Sequence, residues 1–190
     1  YLGSLAGHIT VCEAINDDVF ETFLMALTAR ETIPGLTAPE GLDLAAYRDA
    51  ILQRFHNPAI RHLLAQIAWD GTQKLPVRII GTIRENLAAG RPIGGHCLVL
   101  AGWRLFVMKA LAAGREITDP LAGSLAEQPW AASLDAVAAT EAFLLFRAFF
   151  DDALAADTTL RDQLQLAISQ LGDGAPDTLR AALTAWSAEA

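Results

Sequence analysis

Residues 55–84 read FHNPAIRHLLAQIAWDGTQKLPVRIIGTIR, and their spacing predicts two helices around a short polar break that holds a lysine. Asn57 and Pro58 open the first helix, because proline at the first helical position gives up no needed N–H. Ile60, Leu63, Leu64 and Ile67 fall at i, i+3, i+4 and i+7 and form one apolar stripe. Asp70-Gly71 stops that helix and Pro76 lies in the first turn of the next, so Lys74 sits at or just before a helix N-terminus. That end carries partial positive charge, and a lysine there costs up to about 1 kcal/mol. Contact with a ligand is one reason to keep it.

Outward from this pair the helical period continues in both directions, and no stretch alternates as a strand does. Expected helices run from Tyr1 to Ile15, from Asp18 to Ala29, and from Leu42 to Phe55 with Asp43 as cap. Between the last two, Ile33 to Gly41 holds Pro34, Gly35, Pro39 and Gly41 and reads as loop. After Gly90-Arg91-Pro92, Ile93 to Ala113 reads as a buried helix. Residues 115–132 read as an irregular connector with Pro120, Pro129 and one short helix. Leu134 to Leu154 carries an aromatic-rich helix or broken pair, and Thr159–Leu171 and Pro176–Ser187 complete the set. The expected fold is all-α, with residues 1–190 as one domain.

The bulk numbers set bounds. The chain has 190 residues, 53% of them hydrophobic and 19% charged, enough for one core-rich domain. A net charge of −8 argues against nucleic acid or anionic membrane as partner. Ile93 to Leu111 is the most apolar stretch, but His96, Arg104 and Lys109 interrupt it, and its uncharged part is too short to cross a bilayer. Cys12 and Cys97 make no CxxC, so neither a disulfide framework nor a metal site is expected, and a reducing cytoplasm is the simplest compartment. The chain begins at Tyr1, with methionine only at 25 and 108, and without a signal-peptide pattern; part of a longer protein is expected.

Three motifs in order carry a resemblance: Asn57-Pro58-Ala59-Ile60-Arg61; Asp70-Gly71-Thr72-Gln73-Lys74-Leu75-Pro76 with Arg78 and Thr82-Ile83-Arg84; and Ile117-Thr118-Asp119-Pro120-Leu121-Ala122. With the opening YLGSLAGHITVCEAI, they resemble the C-terminal domain of the mannitol dehydrogenase family, the long-chain polyol and hexuronate dehydrogenases. The likeness spans residues 1 to about 125. It implies a multi-helical substrate domain of an NAD- or NADP-dependent oxidoreductase, acting on a polyol or hexonate and its ketose or keto-acid, as mannitol/fructose or mannonate/fructuronate. It also implies an N-terminal Rossmann-type domain as partner and a catalytic Lys-x4-Asn-x2-His helix. This sequence contains neither that motif nor a glycine-rich turn after a strand, so the fragment alone is expected to be inactive.

The resemblance assigns Lys74 to the hydroxyls of the substrate, a role that an ammonium with three donors suits. Gln66 stands where some relatives carry a substrate-contacting arginine; its amide can bond a hydroxyl but cannot pair by charge with a carboxylate. His62, Gln66 and Asp70 are spaced by four and would share a polar helix face. Arg61 and Arg78 read as structural, His8 as packing and His96 as a satisfied core residue. Gly3, Gly7, Gly94 and Gly95 suggest close helix contacts, and Phe143, Phe146, Phe149, Phe150 and Trp103 suggest core. The alternative is a different class of protein, a non-catalytic helical binding or dimerisation module on the same scaffold.

Overall fold

Helix follows helix through the computed structural model, which describes residues 1–133 and 135–189, and no β-strand occurs among them. The helices are α1 (Leu2–Leu5), α2 (Val11–Ile15), α3 (Asp18–Leu27), α4 (Leu44–Phe55), α5 (Leu64–Ile67), α6 (Gly71–Leu75), α7 (Gly81–Ala88), α8 (Gly94–Ala112), α9 (Ala122–Leu125), α10 (Ala136–Leu144), α11 (Asp152–Ala155), α12 (Thr158–Leu171) and α13 (Pro176–Ala188). The 19-residue α8 is the axis of the fold. It packs on α12 and α1, while α10 lies on α12 and α13 on α3. By length and composition α8 could cross a membrane, but 67% of its most apolar window is buried inside the fold.

Aromatic rings fill one side of that axis. Trp103 on α8 meets Trp130 at 5.5 Å and Phe149 at 4.7 Å between centroids, and Phe143, Phe146 and Phe150 extend the cluster. Each fully buried ring contributes on the order of 2–3 kcal/mol of transfer free energy. The aromatic core expected from the sequence is present, with Trp130 added. Its last segment is the broken pair α10 and α11; Leu134, where that expectation began, lies outside the described residues.

The other side is pinned by a carboxylate. Glu31 is fully buried and accepts the backbone N–H groups of Gly95 and His96, each at 2.8 Å, at the start of α8. Its Oε2 also lies 2.7 Å from Nδ1 of His96. A negative charge here satisfies free helix N–H groups and the positive end of the helix dipole together. His96 is thus the satisfied core histidine expected.

Three expectations need correction. The first helix is two, because Gly7 turns the chain at φ +97° and a Thr10–Glu13 capping box starts α2 afresh. Amides of Ile9 and Thr10 on Glu13 hold its carboxyl below the usual carboxylate range. Gly7 therefore serves a turn, whereas Gly3 and Gly95 do sit at close contacts, a Cβ on Gly95 falling 2.5 Å from Trp186.

No helix forms over residues 57–63. Backbone groups there bond to the chain at residues 9–11 instead, Val11 N–H to His62 C=O at 3.0 Å and Leu64 N–H to Ile9 C=O at 2.9 Å. Only the single turn α5 is helical, and Leu63 and Ile67 from the expected stripe are 36% and 49% exposed. Long-range pairing has overridden the helical period.

Asp70-Gly71 begins a helix instead of ending one. Helix α6, a π-turn at Pro76–Ile80 and α7 follow without a gap. Proline has no N–H for the usual backbone bond, and one widened turn absorbs the loss.

Candidate functional site

The site is built around the turn Trp69 to Lys74. Asp70 occupies the left-handed region, φ 57° and ψ 38°, the one non-glycine residue to do so among those described. Aspartate tolerates that conformation better than most side chains. Gly71 follows because nothing larger fits: a Cβ there would lie 2.3 Å from the indole nitrogen of Trp103 and 2.9 Å from the Tyr1 hydroxyl. The aromatic core thus sets how close this turn approaches α8.

Lys74 is half-buried in the first turn of α6. Its ammonium donates to the Trp69 carbonyl at 2.6 Å and to the Ile67 carbonyl at 3.4 Å. Both carbonyls lie at the C-terminal end of α5, the negative end of that turn. The lysine is therefore poorly placed with respect to α6 and well placed with respect to α5, which resolves the dipole argument raised by the sequence. An ammonium has three donors; two are directed at these carbonyls.

Gln66 is exposed on α5, one residue before Ile67. The structure thus brings Gln66 and Lys74 onto neighbouring turns through the Ile67 carbonyl. His62 lies outside α5 and Asp70 beyond its end, so the expected shared helix face of His62, Gln66 and Asp70 does not exist. Arg61 and Arg78 are exposed, and among the described residues no side-chain hydrogen bond joins either one to a carbonyl.

Residues to which the sequence assigned no role organise the site. The carboxylate of Asp119 accepts the Thr72 backbone N–H at 2.9 Å and the Thr72 hydroxyl. Beside them, Thr118 C=O accepts the Asp70 N–H at 3.0 Å. Asp119 belongs to a motif visible in the sequence, but nothing in the spacing tied it to Thr72. Tyr1 stacks obliquely on Phe106 at 5.4 Å. Burial, then the charge of Asp119, pushes its phenol up to about 12, against a smaller opposing effect of Arg78.

Apolar surface surrounds the turn. Ile67 and Tyr1 line an open cleft of about 360 Å³ with Phe55, Leu64 and Val99. Trp69 and Phe106 line a second cleft of about 210 Å³ with Arg115 and Thr118. Lys74 lines neither. Trp69 is 46% exposed and Val77 80%. No strand, and so no strand–glycine turn–helix cradle for a dinucleotide phosphate, exists among the described residues. They do not fit a nicotinamide cofactor on their own. Nor does any group of three His, Cys, Asp or Glu side chains among them stand ready for a metal ion.

Fold and site together define an all-helical domain that presents a lysine-bearing turn at its edge. The family described as mannitol dehydrogenase C-terminal domain matches residues 1–171, and the chain belongs to it. It is 36% identical to the D-mannonate oxidoreductase of Escherichia coli K12 over 64% of this chain and 25% of that protein. Mannitol 2-dehydrogenase of Emericella nidulans is 28% identical over 94% of this chain and 36% of its own length. Among solved structures, the ternary complex of Pseudomonas fluorescens mannitol 2-dehydrogenase with NAD and D-mannitol superposes with a TM-score of 0.87 at 25% identity, covering 100% of this chain and 38% of that one. The chain thus spans between a quarter and two fifths of the length of these relatives.

Proposed function

We propose that this chain, residues 1–190, is the substrate domain of an NAD- or NADP-dependent oxidoreductase that interconverts a polyol or hexonate with its ketose or keto-acid. Substrates of the mannitol/fructose or mannonate/fructuronate type follow from the relatives, two of which are mannitol dehydrogenases and one a mannonate oxidoreductase. The observation that carries the reading is the Lys74 ammonium, held on an exposed turn with two donors on the Trp69 and Ile67 carbonyls and the third left for a ligand oxygen. A cation with a spare donor is suited to orient a hydroxyl or carboxylate. Gln66, on the adjoining turn, would bond a second hydroxyl as a neutral partner.

The nicotinamide cofactor, which accepts the hydride in this reaction class, is proposed to lie mainly on an N-terminal Rossmann-type domain. That domain would also supply the catalytic base, leaving the helical domain inactive by itself. The net charge of −8 supports a small-molecule ligand over nucleic acid or anionic membrane, and two free thiols, Cys12 and Cys97, support a reducing, cytoplasmic location.

The test is a substrate screen on the intact dehydrogenase with NAD and with NADP, followed by Lys74→Ala. Loss of one bond from substrate to a charged group costs about 1.5–3 kcal/mol, so kcat/KM should fall by about tenfold or more. An unchanged kcat/KM removes Lys74 from the site.

A further inference from the structure

We propose that Asp119 and Thr72 form a clasp that positions Lys74 for substrate, so that the connector after α8 is a working part of the binding site. The proposal rests on the reading of Lys74 given above.

Both ends of Lys74 are referred to the same two residues. Its backbone N–H bonds the Asp70 carbonyl at 2.9 Å, and its ammonium bonds the Trp69 carbonyl at 2.6 Å. The position of the lysine therefore follows the conformation of Trp69-Asp70. That conformation does not hold itself. Asp70 is left-handed, and its side chain caps nothing in α6. A left-handed non-glycine residue persists only where the surroundings over-determine it.

The connector supplies that support. Asp119 reaches across 47 residues of sequence to the Thr72 N–H, doing for α6 what Asp70 does not. Its other oxygen takes the Thr72 hydroxyl and the Leu121 N–H, the latter at 2.9 Å, which fixes the orientation of the carboxylate. Thr118 closes on the Asp70 N–H. Three bonds thus join the two segments, and all three converge within four residues of Lys74. Asp119 touches no ligand in this scheme: it is a positioning residue.

A double-mutant cycle in the intact dehydrogenase tests the clasp. Asp119→Asn keeps the shape but presents an NH₂ group to one of the Thr72 donors. The kcat/KM for the polyol should fall by about tenfold or more, since small misplacements of a binding group carry losses of that order. In a Lys74→Ala background the same change should produce no further loss, because the residue it positions is gone. Thr72→Val, which deletes only the hydroxyl bond, should lower kcat/KM in the wild-type background, and Thr72→Ser should restore it. If Asp119→Asn fails to fold, as read by far-ultraviolet circular dichroism, Thr72→Val takes its place in the cycle. Equal losses in both backgrounds overturn the clasp while leaving Lys74 in the site, and so does a well-folded Thr72→Val with unchanged kcat/KM. A Lys74→Ala enzyme of unchanged kcat/KM instead overturns the functional reading itself, and the clasp with it.

Discussion

Nδ1 of His96 lies 2.7 Å from Oε2 of Glu31, and both side chains are buried in the core. The same carboxylate accepts two backbone N–H groups at the start of α8, so one charge joins the π-turn at Thr28–Thr32 to the axis of the fold.

Glu31→Gln should expose how much this junction contributes. The substituted amide keeps the volume, but its NH₂ faces donors that need an acceptor. A buried bond to a charged group left unmade costs about 2–4 kcal/mol. Urea unfolding would show that loss; a difference under about 0.5 kcal/mol, the usual range for surface substitutions, would mean the junction is not structural.

Gly71→Ala probes the seam between the site and the aromatic core. The added methyl would stand 2.3 Å from the Trp103 indole nitrogen, and Trp103 is 2% exposed among packed rings. Overpacking of this kind costs about 1–3 kcal/mol. The gain in helix propensity, about 1 kcal/mol at most, does not offset a displaced tryptophan. A fall in the midpoint of chemical unfolding is expected, with a change in tryptophan fluorescence; a stabilised variant would show that Trp103 yields freely.

Lys74→Ala separates activity from stability. Two carbonyl bonds are lost at a half-exposed position, worth no more than about 1–1.5 kcal/mol together. The unfolding free energy should drop only slightly while kcat/KM collapses. A large stability loss would assign the lysine to the fold.

Tyr1 offers a titration. Its phenol is pushed from 10.0 to about 12, so the native state holds the proton more tightly than the unfolded chain. Stability from this group is complete below pH about 10 and is lost as pH rises toward 12, by about 2–3 kcal/mol at most. The difference in near-ultraviolet absorbance between the parent protein and a Tyr1→Phe variant would follow Tyr1. Ionisation at the ordinary tyrosine value would place the phenol in water.

Asp17 behaves in the opposite sense. The Arg180 guanidinium, and after it His8 and the Val19 N–H, hold its carboxyl below the ordinary value against the effect of burial. Its folded value is depressed, so the stabilisation is present above the unfolded pKa and disappears as pH falls through the folded one. Arg180→Met should cost about 1 kcal/mol near neutral pH and almost nothing once Asp17 is protonated. A pH-independent difference would mean that the bond tying α13 to α3 is not ionic.

Much of this was legible in the residues. The 3.6-residue period gave the long axis α8 and the helices that pack on it, because burial of a continuous apolar face follows directly from spacing. Asp43 was readable as a cap and is one, accepting from Ala45 and Ala46. The DGTQK motif marked the turn that carries Lys74. The stripe Ile60, Leu63, Leu64, Ile67 misled, since its backbone groups found partners in residues 9–11, which no local pattern records. Glu31 carried no signal at all: a lone acidic residue on an amphipathic helix looks like surface until a second helix begins against it.

The sequence by itself determined the all-helical class, the position of the core and the family, since these depend on local periodicity and on motifs read in order. Only the tertiary structure decided where Lys74 points, why Gly71 must be glycine, and that Asp119 serves Thr72. The reason is physical: the steric limit on Gly71 and the bonds of Asp119 to Thr72 join segments far apart in sequence, and even the nearby carbonyls that hold Lys74 come within reach only when the turn has folded.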